Sequence, residues 1–438
     1  MSLKDQPDLS RRSLLRFGAL GALGFGLGSS LGPLPARTDR RPPRPPLGPL
    51  PAVFGGESPA AAKSLIVVWL DGGPSQLETF DPHPGTAIGG PSKGVATKQR
   101  GVSFGDGLPL LAERADKLAV IRSLVTKEGE HQRGRYLMRT GYPLIPTVNH
   151  PALTAAVAYE ADKRGLEIPA HVSFLSNRPP KGGYLGVSYD AFRVGDPKRP
   201  VPDLTPAVGQ DRFAARLEQL NAMDKAFLAR RRAGRAIEQH HELTARAHEM
   251  MSSAQVKAFK VSEEPEALRE RYGDSRFGRA CLAARRLIQQ GVPAVEVTLS
   301  GWDTHANHFE LTKPMTERLD RGLATLLDDL EAHELLDQTL VVCMGEFGRT
   351  PTINPLDGRD HWTRGFSVAL AGGGLRVNQT LGSTDPEGKQ APQDPVKAAD
   401  ILATLYAQLG IDHRQWFDTP QGRPIRLCEG TPIKALRG

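Results

Sequence analysis

Residues 65–71, Leu-Ile-Val-Val-Trp-Leu-Asp, are an uninterrupted apolar run that ends at a carboxylate. Gly72, Gly73 and Pro74 follow at once, and these residue types end a strand in a turn. A short apolar run rich in β-branched side chains and closed by a turn predicts a strand that is buried on both faces. Strands of this kind are typical of a parallel sheet with helices on both sides.

Similar runs recur along the chain and alternate with helical patterns. Apolar segments that predict further strands lie at residues 118–124, 170–175, 292–299, 339–344 and 366–371. Segments that predict helices lie at residues 109–117, 131–139, 151–164, 275–290, 311–333 and 396–409. The predicted fold class is therefore α/β, with a largely parallel sheet and helices on both faces.

The 438 residues divide into three parts by composition. Residues 1–36 predict an export signal, residues 37–60 form a proline-rich extended spacer, and residues 61–438 suffice for one large α/β domain. Within that domain, residues 210–262 are charged and amphipathic and predict two long helices. We interpret them as a solvated hairpin packed on the core rather than as a second domain.

Arg11 and Arg12 stand in front of a glycine-rich apolar segment, residues 17–31, and this pattern predicts a twin-arginine (Tat) signal. The alternative, an arginine pair before a core helix, is disfavoured because glycines destabilise a helix interior. Leu34 fits poorly before a cleavage site at Ala36, so release and retention as an N-terminal anchor both stay open. The expected location is periplasmic, cell-envelope or secreted, with the Tat translocase as the partner during export.

The formal charge of +7 is concentrated at the N-terminus. Residues 1–45 hold eight Lys or Arg and three Asp, a net +5 that leaves only +2 for the rest of the chain. A nucleic-acid-binding face needs its positive charge on the folded domain. The sequence therefore gives no support to nucleic acid as a partner, and it does not predict an oligomeric state.

Three potential metal ligands lie within residues 301–309, Gly-Trp-Asp-Thr-His-Ala-Asn-His-Phe. Asp303, His305 and His308 follow directly after the predicted strand at 292–299. One carboxylate and two imidazoles suit zinc, manganese or iron. The alternative is a solvated loop with an Asx-turn at Asp303. The grouping of all three side chains behind a buried strand favours a metal site.

Acidic or imidazole side chains also stand at other boundaries of predicted strands. Asp71 and Glu346 each follow a strand, and Asp360 and His361 precede one. Any of them can instead be a helix cap or a turn residue. Ligands of open α/β sheets bind at the carboxyl ends of the strands, where converging carboxylates repel one another unless a cation lies between them. We therefore expect a shared divalent cation at this edge of the sheet.

Four segments together resemble one bacterial family. They are VVWLDGGPSQLETFDP at residues 67–82, GWDTHANHF at 301–309, GEFGRTP at 345–351 and GRDHW at 358–362, in the order typical of the family. On these motifs the chain resembles the bacterial domain of unknown function 1501 family, which is placed among the alkaline phosphatase and sulfatase-like proteins. The resemblance implies an alkaline phosphatase-like fold with a two-metal site at the strand ends.

The resemblance also implies a role for the residues of each motif. Asp71 looks like the first-strand carboxylate that reaches the second metal. Asp303 with His305 or His308 looks like the ligand set of the other metal, and His361 looks like the late histidine that completes it.

Two further positions bear on the number and kind of metal. Glu346 stands where the superfamily usually has an Asp-His pair, which leaves room for one metal only or for a harder Mg²⁺ or Ca²⁺. Asp360 is either a partner of the neighbouring histidine or a further ligand. Zinc or manganese remains the favoured divalent metal.

The segment HQRGRYLMRTG at residues 131–141 is similar to the nucleophile segment of sulfatases, with Arg135 at the arginine position. His131 stands where that segment has Cys or Ser, so the resemblance excludes formylglycine chemistry. His131 can be a metal ligand, a general base or a nucleophile, and the alternative is a helix face without a catalytic part. Arg135 offers a planar, permanently charged fork to a phosphate or sulfate oxygen.

The predicted activity is hydrolysis of a phosphate or sulfate ester, carried by a polysaccharide or a lipid. Water activated by the metal would attack the ester while Arg135 steadies the anion. Arg349 and Arg359 are candidate substrate-binding cations, or plain surface charges. The alternative function is a non-catalytic metal- or carbohydrate-binding envelope protein, because the usual hydroxyl or thiol nucleophile is missing.

Overall fold

The computed structural model describes residues 62–161, 163–206, 208–230, 235–419 and 421–437. The predicted export signal and the whole of the predicted spacer lie outside these residues. In chain order, the strands are β1 (Ser64–Asp71), β2 (Gly94–Ala96), β3 (Ser103–Gly105), β4 (Ala119–Val125), β5 (His171–Phe174), β6 (Phe192–Val194), β7 (Ala294–Ser300), β8 (Thr339–Gly345), β9 (Gly348–Arg349), β10 (His361–Trp362), β11 (Phe366–Gly372), β12 (Gln379–Leu381), β13 (Val396–Lys397), β14 (Trp416–Asp418) and β15 (Pro424–Arg426). The helices are α1 (Pro109–Ala112), α2 (His131–Thr140), α3 (Leu153–Glu160), α4 (Gln210–Arg230), α5 (Arg235–Ser252), α6 (Glu266–Tyr272), α7 (Arg276–Gln289), α8 (His308–Ala332) and α9 (Ala398–Gln408).

The main sheet is mostly parallel and has β1 near its centre. Its strand order is β12-β4-β11-β8-β1-β7-β5-β6, and β13 also pairs with β4. β1 runs parallel to both β8 and β7, whereas β11 is antiparallel to its two neighbours, β8 and β4. The predicted α/β class with a largely parallel sheet is confirmed.

Helices cover both faces of this sheet. The even-numbered side chains of β1 between positions 66 and 70 belong to one apolar core, which includes residues of α7 and α8. The odd-numbered side chains between positions 65 and 69 belong to a second core, which includes residues of α3 and α9. Successive side chains of a strand point to opposite faces, so a run that is apolar at every position stays out of water only if both faces are covered.

The sheet brings the polar ends of distant segments to one edge. β8, β1 and β7 are adjacent and parallel, and their last residues pair in register, Leu70 with Gly345 and Asp71 with Ser300. β11 runs the other way and therefore begins at this same edge, directly after the small hairpin of β9 and β10. In that hairpin His361 lies opposite Arg349. Residues that are far apart in sequence thus become neighbours.

α2 begins at the same edge with His131. Glu130 caps the helix, because its carboxylate accepts hydrogen bonds from the backbone N–H groups of Gln132 and Arg133. Gly141, in the left-handed conformation with φ 77°, ends it. Residues 131, 135 and 139 are four apart and share one face of the helix, so the start of α2 decides which side chains reach the sheet edge.

α8 begins three residues earlier than predicted. Its first residue is His308, preceded by Asn307 with φ 48°. This start places His308 on the first turn of a buried helix rather than on the loop that carries Asp303.

α4 and α5 lie within the stretch for which a helical insertion is predicted. Most described side chains of both helices are exposed. Among the described residues, no helix combines the length and apolar composition that crossing a membrane requires.

Candidate metal centre

Asp303 is the centre of a cluster at the carboxyl edge of the sheet. Its Oδ2 lies 3.2 Å from Nε2 of His131, and its Oδ1 lies 3.3 Å from Nε2 of His361. Ligand atoms of these three residues all lie within 4.8 Å of one another. α2, the loop after β7 and the hairpin strand β10 each supply one of them.

His305 adds a third imidazole to the cluster. Its Nε2 lies 3.0 Å from Oδ1 of Asp303 and 3.0 Å from Nε2 of His361. The structure therefore brings together Asp303, His305, His361 and His131 from three separate segments of the chain.

The other nitrogen of each imidazole is bonded to an acceptor. Nδ1 of His131 lies 2.8 Å from Oε1 of Glu346, and Nδ1 of His305 lies 2.8 Å from Oδ1 of Asp360. Nδ1 of His361 lies 2.7 Å from the carbonyl oxygen of Gly129. Ionised carboxylates and carbonyls only accept, so each Nδ1 carries a proton, and in its neutral form each ring presents a lone pair at Nε2. This is the orientation that metal-binding histidines adopt.

The donor set fits a metal ion. Nε2 atoms of His305 and His361 face each other at 3.0 Å, and two lone pairs at this distance repel unless a proton or a cation lies between them. A tetrahedral zinc site with metal–nitrogen bonds of about 2.0–2.1 Å has its ligands about 3.3 Å apart. The spacings around Asp303, 3.0 to 3.3 Å, are close to that value.

Charges around the cluster hold Asp303 ionised. Burial by itself would raise the pKa of Asp303, but the hydrogen bond and charge of Arg349 outweigh it and lower the pKa to about 2. The hydrogen bond to Glu346 raises the pKa of His131. Burial lowers the pKa of His361 and favours its neutral, ligating form.

Glu346 contacts the cluster through Nδ1 of His131. Its side chain is fully buried, and its Oε1 accepts hydrogen bonds from the backbone N–H of Gly72 and from His131. Among the described residues, its Oε2 has no hydrogen-bond partner. An ionised carboxylate with one unpartnered oxygen in the protein interior is costly unless positive charge lies near it.

Asp71 lies beside this cluster but is paired with an arginine. Its Oδ1 accepts hydrogen bonds from Nε of Arg135 at 3.0 Å and from Nη2 at 2.6 Å. The group of close ligand atoms found in the described part of the chain does not include Asp71. The geometry therefore does not support its predicted part as a metal ligand, and the reason is this ion pair with Arg135.

Arg349 is a positioning residue rather than a surface cation. Its side chain is fully buried and donates to the carbonyls of Gly72, Gly73 and Arg359. Nη2 also donates to Oδ1 of Asp303 at 2.7 Å, and Nη1 lies 3.4 Å from Nε2 of His305. With its donors engaged by the protein, Arg349 fixes the Asp303 loop against the turn after β1, and its predicted contact with substrate is not supported.

That turn is tightly enclosed. Gly72 has φ 120°, and a Cβ built there would lie 2.5 Å from the backbone nitrogen of Asp303. Only glycine permits the β1 turn and the ligand loop to approach this closely.

His308 and Arg359 belong to a separate, buried group, which we term the Glu78 network. Glu78 accepts a hydrogen bond from Nε2 of His308 at 2.8 Å through one oxygen and from Arg359 at 3.1 Å through the other. The hydroxyl of Thr304 donates to Nδ1 of His308 at 2.6 Å. Both ring nitrogens of His308 are thus engaged, so its predicted role as a ligand is not supported.

Arg359 is equally enclosed within the Glu78 network. Its guanidinium also donates to the backbone carbonyls of Thr350, Pro351 and Ile88. A fully buried side chain with these partners is not placed to bind substrate. Sequence reasoning missed Glu78, although it lies inside the quoted segment 67–82.

Asp360 acts as a partner of a histidine rather than as a ligand. It lies 2.8 Å from Nδ1 of His305, and its hydrogen bond with His305 lowers the pKa of the carboxyl. Of the two alternatives that the motif left open, the geometry favours the supporting one, with His305 in place of His361 as the supported ring.

The cluster is open to solvent on one side. The side chains of Asp303 and His305 are 48% and 45% exposed, whereas those of His131 and His361 are 24% and 23% exposed. The ring of Phe347 packs against both of the latter histidines, with ring centroids 5.1 and 4.4 Å apart. One wall of the cluster is therefore apolar, whereas Asp303 and His305 are accessible to solvent.

The sequence of residues 62–437 matches the model of a family described as "Protein of unknown function (DUF1501)". The chain belongs to this family. The prediction drawn from the four motifs is confirmed, and no curated protein matches the chain by sequence.

Three solved structures illustrate what this DUF1501 protein is similar to in fold. The lipoteichoic acid synthase LtaP from Listeria monocytogenes is 11% identical, with a TM-score of 0.39 over 87% of this chain and 78% of that one. A protein in the alkaline phosphatase superfamily from Vibrio parahaemolyticus is 13% identical, with a TM-score of 0.35 over 80% and 67%. The alkaline phosphatase from the Antarctic bacterium TAB5 is 11% identical, with a TM-score of 0.34 over 80% and 99%. With TM-scores below 0.5, these similarities assign neither a function nor a site.

Proposed function

We propose that this DUF1501 protein is an exported, metal-dependent hydrolase of phosphate or sulfate esters. One observation carries the proposal. Three imidazoles, each fixed through Nδ1, direct their Nε2 lone pairs at the carboxylate of Asp303 at the carboxyl edge of the sheet. Three nitrogens and one oxygen favour zinc or manganese, with Mg²⁺ or Ca²⁺ less suited to so many imidazoles.

A divalent cation held by these residues would supply Lewis-acid activation of water and of the ester oxygen. The protein's own part is to hold that donor set. Glu346 and Asp360 orient two of the rings, Arg349 fixes Asp303, and Phe347 provides the apolar wall. Of the alternatives for His131, its position 3.2 Å from Asp303 supports the role of ligand.

Three hydroxyl groups near the sheet edge, those of Ser75, Ser123 and Thr126, are hydrogen-bonded to backbone groups. Ser75 is buried, and its Oγ accepts a hydrogen bond from the backbone N–H of Leu77. Ser123 donates to the carbonyl of Asp394, and Thr126 accepts from the N–H of Glu128. These contacts support direct attack by water rather than a covalent serine or threonine intermediate.

The guanidinium of Arg135 lies beside the cluster, and this position supports the predicted anion clamp. Two of its nitrogens are committed to Asp71, so its contribution to an anionic substrate is a fixed charge rather than a free two-pronged grip. The open side of the cluster supports an ester carried on a large molecule, such as a polysaccharide or a lipid, over a small enclosed substrate.

The proposal is tested with purified mature protein. Metal content is measured first, and aryl phosphates and aryl sulfates are then screened with the wild type, His131→Ala and a matched control, His333→Ala, whose half-exposed ring lies at the end of α8. We expect bound metal and turnover that the first variant loses and the second keeps. Metal without turnover on either ester class would contradict the hydrolase.

That outcome would favour the second candidate, a non-catalytic metal- or carbohydrate-binding envelope protein. The observations in its favour are the open site and the lack of a hydroxyl nucleophile at His131.

Export is proposed from Arg11 and Arg12 alone, and the double Lys variant is expected to leave the protein inside the cell. Unchanged export of that variant would contradict the Tat route.

A further inference from the structure

Arg135 lies between two carboxylates that end neighbouring strands. Asp71 ends β1, and Glu346 follows β8. Nη2 of Arg135 is 2.6 Å from Oδ1 of Asp71 and 3.8 Å from Oε1 of Glu346. The strand register therefore creates a pair of acidic groups, and the guanidinium is placed to neutralise both.

The positive charge is built into the fold. Arg135 lies one helical turn after His131, on the same face of α2, and its side chain is only 10% exposed. Nε and Nη2 both donate to the same oxygen of Asp71, which fixes the guanidinium plane. Glu346 is fully buried, so water cannot screen its charge.

Glu346 connects this ion pair to the metal centre. Its Oε1 lies 2.8 Å from Nδ1 of His131 and 3.8 Å from Nη2 of Arg135. Because Nη2 of Arg135 contacts both carboxylates, a metal ion held jointly by Asp71 and Glu346 would compete with the guanidinium for the space beside them. The guanidinium of Arg135 and a divalent cation bound beside it would repel each other strongly.

We infer that Arg135 is a built-in replacement for a second metal ion, so that the protein binds one divalent cation and not two. The inference shares the metal centre with the proposed function but does not depend on turnover. It departs from the two-metal site that the resemblance implies. It also gives Arg135 a positioning role that a titration without substrate can detect.

The test is the number of Mn²⁺ ions bound per chain, measured by calorimetric titration and by the electron paramagnetic resonance signal of interacting Mn²⁺ pairs. We expect one ion in the wild type. Arg135→Gln keeps hydrogen-bonding capacity without the charge, exposes both carboxylates to a cation, and is expected to bind two ions with a paired-Mn²⁺ signal.

Two further variants make the result specific. Asp71→Asn combined with Arg135→Gln removes both charges of the pair and is expected to return the count to one. Arg133→Gln removes an arginine from the same helix, where its half-exposed side chain pairs with Glu128, and is expected to stay at one. If Arg135→Gln folds only when Mn²⁺ is supplied, with two ions bound, the inference is also supported.

Two ions in the wild type, or one in a folded Arg135→Gln, would overturn the inference while leaving the hydrolase proposal intact. Failure of Mn²⁺ to recover an unfolded Arg135→Gln, when the double variant folds, would overturn it as well. No ion in the wild type would refute the metal centre itself. If Arg135→Gln hydrolyses an ester but still binds one Mn²⁺ ion, the hydrolase proposal stands and the inference about Arg135 fails.

Discussion

The metal centre and the Glu78 network are built from the same residue types but differ in how the charge of their carboxylates is balanced. In the Glu78 network, His308 lies between a carboxylate and a hydroxyl, and Arg359 neutralises Glu78. In the metal centre, three imidazoles turn their Nε2 atoms toward one carboxylate, and Arg349 is the cation that contacts this carboxylate directly. The first arrangement is complete within the protein, whereas the second presents donor atoms that suit a cation.

Burial differs in the same sense. The side chains of His308, Arg359 and Glu78 are 1%, 0% and 7% exposed. Asp303 is about half exposed. Buried charges must be paired within the protein, whereas partly exposed metal-donor atoms can be solvated by water until an ion binds. Stability should therefore depend on the Glu78 network, and ligand binding on the metal centre.

Glu78→Ala is the change with the largest expected effect. It leaves Arg359 and His308 buried without their carboxylate, and breaking a buried pair in this way costs about 3–5 kcal/mol of the free energy of unfolding. Denaturant unfolding in the presence of a chelator measures this cost without a contribution from metal. As a control, Glu242→Ala breaks an exposed pair with Arg246 and should cost about 0.5 kcal/mol or less. A similar small loss for both variants would contradict the contrast.

The free energy of unfolding should depend on pH through the titration of Glu78. Burial raises the pKa of Glu78, but the hydrogen bond to His308 and the charge of Arg359 lower it from 4.5 to about 2. A carboxyl whose pKa falls on folding stabilises the protein above its unfolded pKa and loses that contribution as the pH falls through the folded pKa. A difference of this size corresponds to about 3 kcal/mol, lost between about pH 4.5 and pH 2.

The measurement is the free energy of unfolding of wild type and Glu78→Gln across that acidic range. We expect the variant to be less stable than the wild type at neutral pH, and the difference in the free energy of unfolding should close as the pH falls. A gap that stays constant down to pH 2 would show that Glu78 is not the titrating group.

Sequence patterns predicted much of the fold because the apolar runs are strong local signals. The run at residues 65–70 and those at 339–344 and 366–371 lie within β1, β8 and β11. The order of the strands in the sheet decides which polar residues at the strand ends become neighbours. Hydrophobic periodicity does not encode that order. The motif order supplied that adjacency through the family resemblance.

The two histidines of the 301–309 segment show where sequence reasoning ended. His305 and His308 are three positions apart and chemically identical, yet one faces the metal centre and the other faces Glu78. The start of α8, set by Asn307 at φ 48°, separates them. The burial of Arg349 and Arg359 depends likewise on how the β9–β10 hairpin folds against the turn after β1, which no local pattern specifies.

Asp303→Asn tests whether ligand binding depends on the metal centre. The variant keeps an acceptor for Arg349 but removes the negative charge that a cation needs. Because Asp303 is half exposed, its loss of stability should be smaller than that of Glu78→Ala. We expect metal affinity to fall about 100-fold, at the upper end of the 10–100-fold range known for groups that support ligands. Calorimetry with Zn²⁺ or Mn²⁺ measures this, with the exposed Asp412→Asn as control. Undiminished affinity would place the metal elsewhere.

Asp360→Asn is the finest test, because it changes a group that touches a ligand rather than the ion. Asn can still accept the hydrogen bond from Nδ1 of His305, but without the charge it makes that imidazole a weaker donor to a metal. The expected loss of metal affinity is about tenfold, equivalent to about 1.4 kcal/mol, with the thermal midpoint of the metal-free protein unchanged. Affinity and midpoint are measured on the same preparation, since a merely structural role would lower both together. Wild-type affinity in this variant would remove His305 from the ligand set and leave Asp303, His131 and His361 as the centre.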